Sequence, residues 1–296
     1  MIDINYELYK VFYHVASTLN FSEASKQLFI SQSAVSQSIK TLERKLDQTL
    51  FIRSTKKVQL TPEGEILMRH IEPAMNLIQK GEAQLLEATS TGGQIRIGAS
   101  DTICRYFLIP YLERFHKAFP NAHIKVINQT SVKCTELLKN GLVDLIVVNY
   151  PNNYLGSVSS IIHIKKFKDV FIAGDTYPQL KGEKLSFRQI IKYPILMLDK
   201  NSTTNEFLHR LFQQHQLDLV PEIELTSNDL LIDLARIGLG IAFIPDYCIS
   251  DKTEGIHVLE TKEELPEREL VIAYNEHLPL SRAANEFLSY FKPAKH

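Results

Sequence analysis

The 296 residues predict an α/β chain headed by a small, α-rich winged helix-turn-helix domain, and three observations carry that reading. Residues 21–60 hold two helix signals separated by a short turn and followed by a basic hairpin. Residues 62–89 carry one long helical pattern. From residue 94 onward strands and helices alternate, the order expected of a largely parallel sheet covered on both faces.

Taken in order, residues 4–20 place Leu8, Phe12, Val15 and Leu19 at helical spacing, with Tyr9, Tyr13 and Ala16 widening the stripe. Ser22 then stands where a helix N-cap belongs, with Ser25 at the capping-box position, and Ala24 and Leu28 share one face. Ser31 caps a second helix whose apolar residues Val35, Ile39, Leu42 and Leu46 form one stripe. A pair of helices joined this tightly is a helix-turn-helix. Gln32, Ser33, Ser36, Gln37 and Lys40 fall on the opposite face, toward the end that enters the major groove in such motifs. Phe51-Ile52 and Val58–Leu60 predict two short strands around Arg53-Ser54-Thr55-Lys56-Lys57, a wing suited to phosphate or the minor groove. Between Ser22 and Leu60 seven Lys/Arg face three Asp/Glu, a local charge of +4 in a chain whose total is −1. Net charge alone would not suggest nucleic acid; its segregation does. The competing reading, a helical hairpin with a merely solvated polar face, leaves the basic wing unexplained.

The run ASKQLFISQSAVSQSIKTLERKLDQTLFIRSTKKVQLTPEG resembles the winged helix-turn-helix of the LysR-type transcriptional regulators. Thr61-Pro62-Glu63 signals a helix start. Leu67, Ile71, Ala74, Ile78, Gly81 and Leu85 then alternate spacings of four and three, a seam that wants a partner. The resemblance implies that this helix pairs two subunits, giving a homodimer or a homotetramer built as a dimer of dimers. Pro73 predicts a kink.

Ser90-Thr91-Gly92-Gly93 reads as a linker. Beyond it, strands are expected at 94–99, 123–129, 143–149, 161–166, 169–174, 194–198, 220–226, 240–244 and 268–274. Helices are expected at 103–119, 132–139, 186–192, 203–217, 228–237 and 280–291. The resemblance adds a two-lobe effector domain similar to periplasmic solute-binding proteins, its lobes joined by two crossovers. The expected division is 1–61 for the DNA-binding domain, 62–91 for the linker helix and 92–296 for the effector domain. Lobe 1 takes about 92–161 and 267–296, and lobe 2 about 162–266. Gly238–Pro245, GLGIAFIP, resembles a glycine-bearing segment of the family's second lobe and is not a phosphate loop.

In open parallel sheets, ligands sit beyond the carboxyl ends of strands, at helix N-termini. Ser100-Asp101-Thr102, Gln129-Thr130-Ser131 and Ser202-Thr203-Thr204 all occupy such places. Each hydroxyl alone reads as an ordinary helix cap; three groups on one crevice point to a site. Positions like Ser100, Thr102, Thr130 and Thr203 contact the effector in the family. Gln129 joins them, and Phe171 and Phe243 are candidates for cleft walls or for core. The expected ligand is anionic or amino-acid-like, with Asp101 placed to receive an ammonium group.

No nucleophile elbow, Walker motif, HExxH or dinucleotide fingerprint appears, so no enzyme, cofactor or metal is expected. His163, His209 and His215 are scattered. Cys104, Cys134 and Cys248 have no metal-ligand spacing. No apolar run approaches a bilayer span and the N-terminus is no signal peptide, so a cytoplasmic protein is expected. The expected function is a transcriptional regulator that binds an interrupted palindrome in double-stranded DNA and answers to a small effector. Two alternatives remain: a redox sensor of the same family using Cys104 and Cys134, and a solute-binding protein without a transcriptional role.

Overall fold

The computed structural model describes residues 3–53, 57–87, 93–156, 159–249 and 254–292, and the chain divides into two compact units, Met1–Leu86 with Asn140–Leu142, and the remainder. The first unit opens with α1 (Tyr6–Thr18), α2 (Phe21–Leu28) and α3 (Gln32–Leu46). Helix α2 starts earlier than expected. Its N-cap is Asn20, whose side chain accepts from the N–H groups of Ser22 and Glu23, so Ser22 lies inside the first turn. Asn is as good a cap as Ser, and its amide oxygen reaches two free donors at once. Ser31 does cap α3, accepting from the Ala34 N–H at 3.2 Å.

Phe12, Val15, Ala24, Val35, Ile39, Leu42 and Phe51 close the core of this unit. The antiparallel pair β1 (Phe51–Arg53) and β2 (Val58–Leu60) follows α3, in the register Phe51↔Leu60. The Glu43 carboxylate fixes the entry to β1 by accepting from the N–H groups of Leu50 and Phe51. Thr61 caps α4 (Pro62–Glu87): its hydroxyl donates to the Thr49 carbonyl and accepts from the Gly64 N–H. A Cβ on Gly64 would sit 2.3 Å from the Leu50 carbonyl oxygen, which explains the glycine that ends the LTPEG run. Pro73 lies inside α4 without ending it.

The second unit begins with β3 (Gln94–Ala99) and a helical stretch of three parts: α5 (Asp101–Ile103), a π turn (Cys104–Leu108) and α6 (Ile109–Ala118). The sequence predicts a single plain helix from Ile103; the π turn was not legible. Next come β4 (His123–Asn128), α7 (Ser131–Lys139) and β5 (Leu145–Tyr150). One strand, β6 (Ser159–Gly174), replaces the two expected at 161–166 and 169–174. No Gly or Pro interrupts residues 159–173, and the charged Lys165–Asp169 run alternates sides as a strand allows rather than making a turn.

The chain continues through β7 (Lys184–Leu185), α8 (Phe187–Ile190), β8 (Ile195–Leu198), α9 (Thr203–Gln214), β9 (Ile223–Leu225) and α10 (Asn228–Arg236). It then runs through β10 (Ile241–Pro245), β11 (Ile256–Val258), β12 (Glu260–Thr261), β13 (Glu267–Asn275) and α11 (Arg282–Ser289). Gly238 ends α10 with φ +85°, a conformation in which a Cβ would strike Thr176.

The sheet order is β4-β3-β5-β13-β6-β10-β8-β9, with β11 also on β6. The pairs β3–β4, β3–β5, β8–β9 and β8–β10 are parallel, while β13 runs antiparallel to both β5 and β6. Residues 159–168 of β6 pair with β13, and residues 169–174 pair with β10 and β11. One strand thus serves two half-sheets, and β13 carries the chain back to the first. The core follows this division only in part. One cluster joins Ile95, Leu145 and Phe115 of the first half to Leu196, Ile232 and Ala242 of the second. Another, around Phe171, Phe187, Phe212 and Phe243, belongs to the second half alone.

Candidate DNA-reading face and ligand cleft

On α3 the buried side chains Val35, Ile39 and Leu42 turn the polar residues outward. Gln32, Ser33, Gln37 and Lys40 are exposed and Ser36 is half-buried. The Ser31 and Ser33 hydroxyls lie 2.9 Å apart at the helix start. Lys57, at the foot of the wing, is exposed, and the backbone of Arg53 closes the β1–β2 ladder opposite Val58. Lys56, expected on the wing tip, lies outside the described residues. The face therefore presents amide and hydroxyl groups on a helix and a cation beside it, the donor–acceptor set that base edges and phosphates require.

In the second unit a cavity of about 260 Å³ opens between the two half-sheets, where β3, β4, β8 and their following helices meet. Ser100, Thr102, Gln129, Thr130 and Thr203 all line it, as do Asp101, Ser131, Ser202 and Thr204. The carboxyl ends of parallel strands put them there: Ser100 follows β3, Gln129 and Thr130 follow β4, and Ser202 opens α9 after β8. Phe243 does not line it. Its side chain is fully buried, 4.7 Å from the ring of Phe171, because alternate residues of β10 point into the aromatic core of the second half. Both rings are core, not cleft wall.

The hydroxyls share one property. Ser100 Oγ accepts from the Ile103 N–H, Thr130 Oγ1 from Lys133 N–H, Ser131 Oγ from Asn149 N–H and Ser202 Oγ from Thr204 N–H. Thr102 Oγ1 accepts from the Asn228 side-chain amide at 2.9 Å. Each oxygen is used as an acceptor, so each hydroxyl proton is left to be donated. No Lys, Arg or His is among the described residues that line the cavity, whereas Asp101 and Asp199 are. Asn149 and Asn228 also line it, are buried, and have amide oxygens without a partner among the described residues.

The sequence reading missed Asn149, Asn228, Asp199 and Tyr247. Asn149 and Asp199 stand at the ends of β5 and β8, where the strand-end rule would have found them. Tyr247 carried no local signal. Its phenol is pushed well above the usual range by burial.

Contacts cross the crevice at its rim. Tyr106 donates to Asp229 at 2.6 Å, Arg105 lies 3.3 Å from the same carboxylate, and Tyr154 donates to Glu206 at 2.6 Å.

Cys104 and Cys134 are free thiols beside the cleft, donating to the Asn128 side chain and the Gln129 carbonyl. Burial, helped by Asp101, pushes the Cys104 thiol up to about 11. Burial, helped by Cys104, pushes Cys134 up to about 12. Both are held away from the thiolate that peroxide chemistry needs, which disfavours the redox reading.

A winged helix-turn-helix followed by a hydroxyl-lined cleft between two half-sheets defines a ligand-responsive DNA-binding regulator. Residues 6–65 match the model of the bacterial regulatory helix-turn-helix protein, lysR family, and residues 88–295 match that of the LysR substrate binding domain. The chain belongs to the LysR family of transcriptional regulators, whose DNA binding is modulated by a small-molecule effector.

Relatives include the HTH-type transcriptional activator CmpR of Synechocystis sp., 27% identical over 95% of this chain and 93% of that protein. A probable RuBisCO transcriptional regulator of Trichormus variabilis is 25% identical over 93% of this chain and 83% of that protein. Among solved structures, full-length CbnR in complex with its target DNA superposes with a TM-score of 0.67 at 15% identity, covering 97% of this chain and 99% of that one. The regulatory domain of Synechocystis CcmR, solved with 2-PG, superposes with a TM-score of 0.61 at 20% identity, covering 67% of this chain and 95% of that one. Among the described residues, no helix is long and apolar enough to cross a membrane.

Proposed function

We propose that the cleft holds a small effector bearing a carboxylate or similar oxyanion, on Ser100, Thr102, Gln129, Thr130 and Thr203. The observation that carries this is the hydroxyl pattern: each oxygen is already engaged as an acceptor, so the cleft offers protons to an acceptor-rich ligand. A volume of about 260 Å³ falls below the ~300–1,000 Å³ of sites for drug-sized ligands, which restricts the occupant to a small metabolite. Asp101 and Asp199 would favour a ligand that also carries an ammonium group. The known complex of the CcmR regulatory domain with 2-PG supports a small ligand in this fold.

The same proposal assigns Gln32, Ser33, Ser36 and Gln37 to base edges, and Lys40, Arg53, Lys56 and Lys57 to phosphates, on an interrupted palindrome. Its half-sites are bridged by a dimer, or a dimer of dimers, held through α4. The role is regulatory rather than catalytic. The test is a melting-temperature screen of the full chain against carboxylic and amino acids, repeated with Thr102→Val. A hit that stabilises wild type by several degrees and the variant hardly at all supports the cleft; equal stabilisation of both places the ligand elsewhere.

A further inference from the structure

Behind the cleft lies an arginine that no motif or spacing singles out. Arg268, near the start of β13, is 1% exposed and opposes Phe167 of β6 in the ladder. Its guanidinium lies 4.8 Å from the Phe207 ring and 5.4 Å from that of Phe167. It donates to Asp169 Oδ2 at 2.7 Å and to Thr204 Oγ1 at 3.1 Å, and reaches Thr203 Oγ1 with a longer contact of 3.5 Å. Thr203 and Thr204 are the first two residues of α9 and line the cavity. Arg268 is not among the lining residues.

We propose that Arg268 is a positioning residue of the ligand cleft, orienting the Thr203 and Thr204 hydroxyls so that their protons face the ligand and thereby selecting an oxyanion. This rests on the cleft being the effector site. The chemistry leaves little freedom. A guanidinium has donors and no acceptor, so a threonine oxygen bonded to it must accept, and its single proton turns away. A charge-assisted bond in a low-dielectric setting also polarises the hydroxyl and makes it a stronger donor.

The geometry of the ion pair points the same way. Arg and carboxylate pair best as a two-pronged fork. Here, among the described residues, Asp169 takes one guanidinium N–H, while Asp169 Oδ1 and Arg268 Nε have no partner. The pair forgoes its second prong while the guanidinium serves the hydroxyls. A ligand with a carboxylate meets donors at this wall; the matching primary amide presents its own N–H groups there and is rejected. Because Arg268 sits on β13 and Asp169 on β6, the strand that serves both half-sheets, the ligand-facing end of α9 is tied to both strands.

The test uses full-length protein and matched acid and amide probes: glycolate with glycolamide, L-alanine with L-alaninamide, and succinate with succinamate. Titration calorimetry gives the acid-to-amide affinity ratio for wild type, Thr204→Val, Thr204→Ser and Arg268→Met combined with Asp169→Leu. The double variant removes both buried charges together, which leaves neither unpaired, and the two Thr204 variants do not depend on its folding. Wild type is expected to prefer at least one acid about tenfold or more. That ratio should fall toward unity in Thr204→Val and in the double variant, and be retained in Thr204→Ser. A purely structural role would weaken acid and amide alike and leave the ratio unchanged, which overturns the proposal, as does equal binding of acid and amide to wild type. If none of these probes binds but neutral sugars do, and Thr102→Trp abolishes that binding, the cleft stands and the role of Arg268 falls. If Thr102→Trp changes nothing for any compound that binds, both fall.

Discussion

Gln37 and Lys40 lie three residues apart on the exposed face of α3, yet their chemistry separates them. A glutamine that pairs with an adenine edge reads sequence, so Gln37→Ala should alter the preferred operator at a cost of ~1–3 kcal/mol, measured by binding to a matched and a scrambled site. Lys40→Ala should instead weaken both sites equally and reduce the slope of log affinity against log salt by ~0.9. The cysteines give a second residue-scale expectation. With its thiol pushed up from 9.0 to about 11, Cys104 carries roughly 100-fold less thiolate at neutral pH. A raised thiol stays protonated as pH climbs, so iodoacetamide labelling of the native chain should remain slow through pH 9. Labelling as fast as a free thiol at pH 7 would return the redox reading to consideration. The buried pair supplies a third. Arg268→Met alone strands the Asp169 carboxylate, whose protonation burial already favours, and should cost about 3–5 kcal/mol in denaturant unfolding. Adding Asp169→Leu should recover most of that loss.

At the scale of elements, α4 shows which part of its seam is spent within its own unit. Leu67, Met68 and Ile71 pack against the core of the winged domain, whereas Ile78 is 56% and Leu85 77% exposed. Among the described residues of the seam, those last two are the large apolar side chains left exposed. Ile78→Asp with Leu85→Asp should give monomers in sedimentation while the winged domain keeps its fold; Ile71 is a poor choice, because its loss would damage that domain's core. An unchanged dimer would move the interface off α4. Strand β6 is the other element that matters here. By pairing with β13 along one stretch and with β10 and β11 along the next, it fixes the half-sheets on either side of the cleft.

For the molecule as a whole, a ligand alters transcription only through its different affinity for different arrangements of the effector unit. Tyr106–Asp229, Arg105–Asp229 and Tyr154–Glu206 bridge the crevice, so an arrangement with its two sides further apart must break them. Tyr106→Phe removes one bridging hydrogen bond, worth ~0.5–1.5 kcal/mol or more to a charged acceptor. It should shift the effector concentration that half-saturates the operator response by several-fold, with little change in operator affinity in the absence of effector. A response curve identical to wild type would show that the rim contacts do not distinguish the two arrangements.

The sequence by itself determined most of the order of elements, the winged helix-turn-helix and the strand ends that line the cleft. These follow from local periodicity, capping chemistry and the rule that places helix N-termini beyond parallel strands. Ser100, Thr102, Gln129, Thr130 and Thr203 were legible for that reason, and the cap at Asn20 was mistaken by two residues only because Asn and Ser compete for the same role. Tertiary structure alone decided the rest. Phe243 went to the core because the pleat of β10 chose its side, which the run GLGIAFIP does not reveal. The Thr102–Asn228 bond joins residues 126 positions apart. Arg268 looked like any charged residue of a strand until folding brought Asp169, Thr203 and Thr204 around it. Local pattern reports what a residue's neighbours in the chain allow, but a buried charge is defined by the groups that desolvate and satisfy it, and those arrive from distant parts of the chain.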